Sequence, residues 1–363
     1  MKRRFLLFLI ILLLLVSLLG IAELTYIYLH PKLVPRNEAK VCPAQIVSII
    51  VNPGEGLAEV AHKLKEQNVI RDERMFILLA RLKGADTKIQ KGEYEFMLGT
   101  PMRDVLQTMV SGRQKYYRLK VIPGSNIWQI AQDINLNRIW SGERFLSLCR
   151  DQIFIRQMGI PADSLEGYLS PDTYQFNRFD REEYIIQTMV RKFEERWKPE
   201  YEKRAQELKM TRHQIITIAS IIEKETSLKE ERPLVSAVIY NRLKKNMALF
   251  MDPTVIYGLM PNFDGNLTKS DLEHWTPYNT YKNPGLPPGP ICNPGEDSIR
   301  AALWQANVDY LYFVSKGDGS HYFSSRYADH LKAVAQYQRG GAPMESDTAE
   351  TEEGSGTIAP KEQ

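Results

Sequence analysis

Residues 215–226 read IITIASIIEKET, an apolar run that closes on two carboxylates with a lysine between them. At 100° per residue its isoleucines occupy most of a helix circumference, which places this helix inside the protein. Two readings of Glu223 and Glu225 are open. Either both lie exposed at a helix end, paired with Lys224, Lys229 or Arg232, or one is a proton donor held in a dry cleft. Behind Glu225 stand Ile222, Ile221 and Ile218 at i−3, i−4 and i−7, a wholly apolar stripe. Behind Glu223 stand Ser220, Ala219 and Ile216. Periodicity alone does not separate the two glutamates, but desolvation leans toward Glu225. Apolar walls disfavour the charged carboxylate, raise its pKa and keep a proton in place for general-acid work.

Downstream, ERPLVSAVIYNRLKKNMAL (231–249) predicts a second amphipathic helix, with Val235, Val238, Ile239 and Leu243 on one face. DPTVIYGL (252–259) follows, then WTPYNTYKNPGLPPGPICNPG (275–295). Between Asn283 and Gly295 lie five prolines and three glycines, too many for a helix interior or a central strand. A stiff, shaped surface loop is predicted there. Tyr278 and Tyr281 beside it suit the apolar faces and hydroxyl rims of sugar rings; the plain alternative is an Ω-like loop packed on its own side chains. YLYFVSKGDGSHYFSS (310–325) is a hairpin signal turning at GDG.

Upstream, a β-branched run, a Pro-Gly turn and an amphipathic helix occur twice, seventy residues apart. VNPGEGLAEVAHKL from Val51 aligns with VIPGSNIWQIAQDI from Val121. Pro53 and Gly54 match Pro123 and Gly124, and Leu57, Val60, Ala61 and Leu64 match Ile127, Ile130, Ala131 and Ile134. This is an internal repeat with apolar positions at i, i+3, i+4 and i+7. Between the copies a helix (ERMFILLARLKG), a strand (KIQKGEYEF) and a further helix (MRDVLQTMVSG) are predicted. Such units suit an extended ligand, or simply space an active domain from a membrane. Residues 182–210 read as charged helix broken at Pro199, its charges a solvated face.

MKRR precedes FLLFLIILLLLVSLLGIA (5–22), long enough for a transmembrane segment, with Tyr26 and Tyr28 suited to the far interface. Lys2, Arg3 and Arg4 place the N-terminus in the cytoplasm and the rest outside. The alternative is a cleaved signal peptide with small residues at Gly20-Ile21-Ala22; either way the globular part is exported. A net charge of +3 without long runs of one sign argues against nucleic acid as a partner. Cys42, Cys149 and Cys292 are far apart, and neither they nor the six scattered histidines form a metal motif.

In this order and spacing ASIIEKET, NRLKKNMAL, DPTVIYG, YNTY, GLPPGPI, NPG and YLYFV resemble the endolytic murein transglycosylase family (MltG, YceG-like). LEGYLSPDTYQF (165–176) resembles the segment before that family's catalytic helix. The likeness spans roughly residues 1 to 340. It implies an α+β, membrane-anchored protein: a stub and transmembrane anchor over 1–29, a juxtamembrane linker over 30–45, a small LysM-like α/β subdomain over 46–137 and a mixed α+β catalytic domain over 138–340. A disordered acidic tail over 341–363 follows, read from its composition.

The resemblance further implies cleavage within peptidoglycan glycan strands of the β-1,4 bond between N-acetylmuramic acid and N-acetylglucosamine. No water is consumed and 1,6-anhydro-muramic ends are left. No cofactor and no metal are implied; peptidoglycan synthases or the division machinery are the implied protein partners. The catalytic glutamate maps to the position before threonine in EKET, Glu225, in agreement with the desolvation argument. Cleft contacts are implied from Glu166, Tyr168 and Asp172 in LEGYLSPDTY, from Asp252, Thr254 and Tyr257 in DPTVIYG, and from Tyr278, Asn279, Thr280 and Tyr281 in YNTY. Two departures bear on sugar contacts: Ser170 stands where an aromatic is usual, and Phe250-Met251 where Gln-Thr often precedes DPT. Two rivals stay open. A hydrolytic muramidase would pair Glu225 with Asp252 or Asp172 across the cleft, although both aspartates read first as turn or helix-cap residues. A membrane-tethered peptidoglycan-binding scaffold would do no chemistry.

Overall fold

The computed structural model describes residues 10–22 and 45–338. The stub, Tyr26 and Tyr28, Cys42, nearly all of the linker and the acidic tail lie outside the described residues. Residues 10–22 form a helix, α1, whose apolar side chains are exposed. Among the described residues no helix is long and apolar enough to cross a membrane. The described residues form a mixed α+β fold with three two-stranded antiparallel sheets among the helices.

The described chain divides into two compact units that interleave in sequence. One runs to Val121 and adds Ile130–Leu148 and Asp172–Thr188; the other takes Ile122–Gln129, Cys149–Pro171 and everything from Met189 onward.

The first unit begins with β1 (Ile46–Val51), α2 (Leu57–Glu66), α3 (Glu73–Leu82) and β2 (Gly92–Met97). β1 and β2 pair antiparallel, Ile49 opposite Tyr94 and Val51 opposite Gly92. Alternation along β1 sends Ile49 and Val51 inward, where they meet Val60, Ala61 and Leu64 of α2 and Phe76 and Ala80 of α3. Asp72 caps α3 by accepting from the Met75 N–H at 3.0 Å. α4 (Met102–Val110) closes this core with Val105 and Met109.

The repeat is larger than the matched residues. β3 (Tyr117–Val121), α5 (Ile127–Leu136), α6 (Gly142–Leu148) and β4 (Asp172–Phe176) retrace the β–α–α–β order, and β3 pairs antiparallel with β4. Gly54 and Gly124 hold the same left-handed backbone, φ 85° and 84°, which is what a Pro-Gly turn into a helix requires. The aligned Ile130, Ala131 and Ile134 are buried like Val60, Ala61 and Leu64. In the second copy a segment containing α7 (Gln152–Gln157) is inserted before the last strand, and it belongs to the second unit.

Within the first unit Glu93 on β2 is buried and accepts from Tyr117 Oη (2.5 Å), Ser48 Oγ (2.7 Å) and Arg178 Nη1 (3.2 Å), with Lys115 Nζ at 3.4 Å. Burial works to raise its pKa, but the hydrogen bonds from Tyr117, Ser48 and Arg178 and the charge of Lys115 outweigh it and hold the carboxyl at about 2.

The second unit holds the C-terminal half of the charged helix α8 (Glu182–Arg196) and α9 (Pro199–Glu207), with Pro199 starting α9 as its first residue. α8 itself begins in the first unit. Next come α10 (Arg212–Glu225), α11 (Arg232–Lys244), α12 (Asp252–Gly258), α13 (Lys269–Glu273) and α14 (Glu296–Leu303). The hairpin β5 (Tyr312–Ser315) and β6 (His321–Ser324) and the last helix α15 (Tyr327–Gln338) complete it. α10 starts with a capping box between Thr211 and Gln214, and every residue from Ile215 to Ile222 is buried.

The proline-rich loop meets its predicted surface position only in its first half, where Pro284 and Pro288 are exposed; Gly289 to Gly295 are buried. Its polar groups have partners that permit this. The Ile291 N–H donates to Ser220 Oγ at 3.0 Å, and Cys292 Sγ lies 3.3 Å from the Ser220 carbonyl on α10. Cys149 and Cys292 are both buried free thiols.

Because Glu93 titrates at about 2 in the fold and near 4.3 when unfolded, its stabilisation is present above the unfolded value and is lost as pH falls toward 2. Glu93→Gln is expected to lower unfolding stability by about 2–3 kcal/mol at pH 7. In denaturant titrations at a series of pH values, the gap to wild type should close between about pH 4.5 and pH 2.

Candidate active site

α10 ends at Thr226, whose backbone turns extended at φ −142° and ψ 137°. The last turn of the helix therefore delivers both glutamates to one end of a buried rod, and there they part. Glu223 is spoken for: its Oε2 accepts the Gly295 N–H at 2.9 Å, and its Oε1 faces Arg232 Nη2 at 3.3 Å. The two side chains are only 6% and 12% exposed, so this is a buried ion pair that ties the proline-rich loop and α11 to α10.

Glu225 is the opposite case. The residue keeps a partial opening to solvent, yet its Oε1 is buried, and among the described residues nothing hydrogen-bonds it. Burial pushes its pKa up to about 8; the nearby charge of Asp252 adds to the rise and that of Arg242 opposes it. An unpartnered buried carboxyl oxygen is rare enough to require an explanation, and a protonated acid facing a substrate supplies one.

Glu225 lines a cleft of about 480 Å³. α11 contributes Arg242, the α11–α12 connection contributes Phe250, and α12 contributes Asp252. Tyr281 comes from the YNTY turn, Tyr312, Phe313 and His321 from the hairpin, and Tyr327 and His330 from α15. Asp252 is the first residue of α12; the cap position belongs to Met251, whose side chain caps nothing. The expected helix-cap role of Asp252 is thus replaced by another. Its Oδ1 accepts the Tyr281 hydroxyl at 2.5 Å on the cleft wall. Arg242 is buried and donates to the Leu311 and Leu249 carbonyls, so its charge is fixed behind the site.

Of the other implied contacts, only Tyr281 joins Asp252 in this cleft. Thr254 and Thr280 are buried and shape the chain below it: Thr254 Oγ1 donates to the Met251 carbonyl, and Thr280 Oγ1 accepts the Met251 N–H at 3.0 Å. Asn279 is buried, donating to the Leu272 and His274 carbonyls. Tyr168 is buried against His213 Nδ1 at 2.8 Å.

Glu166 and Tyr278 line a different cavity of about 520 Å³. Glu166 accepts from the Ile127 N–H (3.1 Å), Tyr257 Oη (3.1 Å) and Asn293 Nδ2 (3.0 Å); burial lifts its pKa to about 8 against the pull of the Ile127 and Tyr257 bonds. Asn293 Oδ1 in turn accepts the Gly167 and Leu169 N–H groups. Gly167 sits at φ 87°, where a Cβ would come within 2.5 Å of the Pro290 ring. These contacts make LEGYLS and NPG a structural node around Glu166. Asp172 lies in the first unit at the head of β4, accepting the Thr173 N–H at 2.6 Å. Ser170, one of the two departures, is buried and accepts from Arg196 Nη1 at 2.8 Å, an interior contact.

A family model described as the YceG-like family matches residues 49–336. The chain belongs to the YceG-like family. This YceG-like chain is 36% identical over 310 residues to a Bacillus subtilis (strain 168) protein named endolytic murein transglycosylase, spanning 80% of this chain and 84% of that one. A Streptococcus pneumoniae (serotype 2, strain D39) protein of the same name is 28% identical over 323 residues, spanning 80% of this chain and 58% of its relative. The 2.6 Å crystal structure of a Listeria monocytogenes protein described as YceG-like superposes with a TM-score of 0.55 at 31% identity, covering 80% of this chain and 99% of that one.

Arg242, Tyr312, Phe313, His321, Tyr327 and His330 are cleft residues that the sequence motifs did not single out. A signal existed for the last helix. Tyr327, His330, Val334 and Gln338 recur at i, i+3, i+7 and i+11, a single helical face, and all four line the cleft. His321 is held by Glu231, which accepts both its N–H and its Nδ1 at 2.7 Å as well as the Thr226 hydroxyl at 3.0 Å.

The two glutamates should respond oppositely to amide substitution. Glu223→Gln leaves the buried Arg232 with only the more distant Asp297, at 3.8 Å, as counter-charge and should cost about 2–3 kcal/mol. For Glu225 the folded pKa lies above the unfolded one, so the fold loses stability as pH rises from about 4.5 to 8. Glu225→Gln should therefore match wild type at pH 4 and melt above it at pH 8 in calorimetry.

Proposed function

We propose that this YceG-like protein is an endolytic peptidoglycan lytic transglycosylase. It cleaves the N-acetylmuramic acid β-1,4 N-acetylglucosamine bond within glycan strands and leaves 1,6-anhydro-muramic ends. The observation that carries this reading is the buried Glu225 Oε1, which has no hydrogen-bond partner among the described residues, at an aromatic-lined cleft. With its pKa near 8 the acid is protonated at neutral pH. It gives that proton to the glycosidic oxygen as the C1–O bond breaks and the bonding pair leaves with the oxygen. The muramic N-acetyl oxygen shields the positive charge left at C1. Glu225, now a carboxylate, takes the proton from the C6 hydroxyl as that oxygen closes onto C1, which restores the acid and consumes no water.

Asp252 tunes this cycle by holding the Glu225 proton through its charge, with its own Oδ1 committed to Tyr281. Its place on the same cleft is also what favours a second reading, a hydrolytic muramidase in which Asp252 activates water.

The wider reading places the protein in the cytoplasmic membrane as a single-pass protein, N-terminus inside and catalytic unit outside, supported by the MKRR stub and the apolar run after it. The β–α–α–β units with their Pro-Gly turns support a LysM-like, glycan-holding role for the N-terminal part. Trimming of nascent strands beside peptidoglycan synthases or the division machinery would follow from these placements.

Mass spectrometry of products from uncrosslinked glycan strands tests the reaction. Wild type should yield anhydro-muramic ends, and Glu225→Gln should lose at least about a hundredfold in rate. Undiminished cleavage by that variant removes Glu225 from the chemistry, reducing muramic ends select the hydrolase, and inert wild type selects a non-catalytic scaffold. Asp252→Asn provides a second test. Removing the neighbouring charge lowers the Glu225 pKa, so the alkaline limb of the rate profile should move below pH 8 with activity retained. The hydrolase reading requires activity to be abolished.

A further inference from the structure

Phe250 is built in a way that packing alone does not explain. Its backbone sits at φ +49°, in the left-handed region that a bulky L side chain avoids. Leu249 and Met251 on either side are 0% and 1% exposed, whereas the Phe250 side chain between them is 48% exposed and lines the Glu225 cleft. The chain is pinned around it. The Leu249 carbonyl accepts from Arg242, the Phe250 N–H reaches the Thr280 carbonyl at 3.4 Å, and the Met251 N–H donates to Thr280 Oγ1 at 3.0 Å. The ring is braced as well. Tyr281 meets it edge to face with centroids 5.2 Å apart and planes at 68°, and the Arg242 guanidinium lies 5.9 Å from its centroid.

Single exposed apolar side chains are ordinary on protein surfaces, but they do not ordinarily sit on strained backbone held from both sides. Strain of this kind, maintained by surrounding hydrogen bonds at the wall of a site, marks a group displayed for binding. We propose that Phe250 is a saccharide platform: the strained backbone holds its ring against the apolar C–H face of one pyranose of the bound glycan, next to the bond that Glu225 cleaves. This rests on the transglycosylase reading of the same cleft. It also gives the Phe250-Met251 departure a physical meaning, since an amide at this position offers hydrogen bonds to a sugar, whereas a phenyl ring offers a stacking face.

The test uses full-length protein in detergent carrying Glu225→Gln, so that binding is measured without turnover, and a peptide-free octasaccharide of alternating N-acetylglucosamine and N-acetylmuramic acid as the probe in calorimetry. Phe250→Ala and Phe250→Gly should each weaken binding about tenfold, and Phe250→Tyr should stay within about twofold of the parent. Because glycine relieves the left-handed strain and alanine does not, the Gly variant should melt about 2–4 °C above the Ala variant while binding equally poorly. In the active protein Phe250→Ala should raise KM about tenfold with kcat within about twofold. Cleavage by wild type together with unchanged affinity in the Ala and Gly variants, or failure of Tyr to rescue, overturns the platform and leaves the transglycosylase reading standing. An Ala variant as heat-stable as the Gly variant overturns the strained display. No cleavage by wild type and no binding by the Glu225→Gln parent overturn both readings.

Discussion

A carboxyl oxygen shut away from water and from every donor cannot hold charge cheaply, and the second unit is organised around that fact at Glu225. α10 reaches the site as a helix buried on all sides, packed against α11, α12 and α14. Apolar side chains on every face leave its last carboxyl facing protein on one side and the cleft on the other. Two residues earlier Glu223 experiences the same burial and resolves it differently, through Arg232 and the Gly295 N–H. The contrast shows what the helix end selects for: one glutamate neutralised by an ion pair, the other by keeping its proton.

The remaining cleft residues act through that choice. Asp252 and Arg242 bring charges of opposite sign to bear on Glu225, and both are anchored, Asp252 by Tyr281 and Arg242 by two backbone carbonyls. Fixed charges tune an acid without the reorganisation that mobile groups or solvent would need. Thr254 and Thr280 lock the turn that carries Phe250 and Asp252, so residues with no face on the cleft still set its geometry.

Much of this was legible in the sequence. Isoleucines around the whole of α10 announced its burial, and the stripe behind Glu225 leaned toward that residue, but what parts it from the equally buried Glu223 is that Arg232 and the Gly295 N–H take up the Glu223 carboxylate. The Pro-Gly matches exposed the repeat, because φ near +85° before a helix leaves glycine few substitutes. Long-range docking stayed hidden. Proline content announces stiffness but not where a loop lies, and Gly289 to Gly295 are buried because Ser220 Oγ accepts the Ile291 N–H while the Ser125 carbonyl and the Gly124 N–H pair with the Asn293 backbone, partners that local patterning does not reveal. Glu166 carries the chemical signature of an acid, yet its three donors come from residues 39, 91 and 127 positions away. Asp252 before a proline reads as a cap, and only the placement of Tyr281 reveals where its carboxylate points. The cleft wall from the hairpin and α15 was visible as elements, but not as faces of one site.

The interleaving of the two units changes what a deletion can mean. Ser125, Asn126 and Ile127 follow the second Pro-Gly turn, inside what looks like an N-terminal module, yet they serve the second unit. The Ser125 carbonyl accepts from Asn293, and the Ile127 N–H is one of the donors that keep Glu166 satisfied. Trimming the N-terminal repeat at the end of α5 would strip those groups from around Glu166 and unlatch Asn293. Loss of activity in such a shortened protein would report a damaged interior, not a missing glycan-holding module.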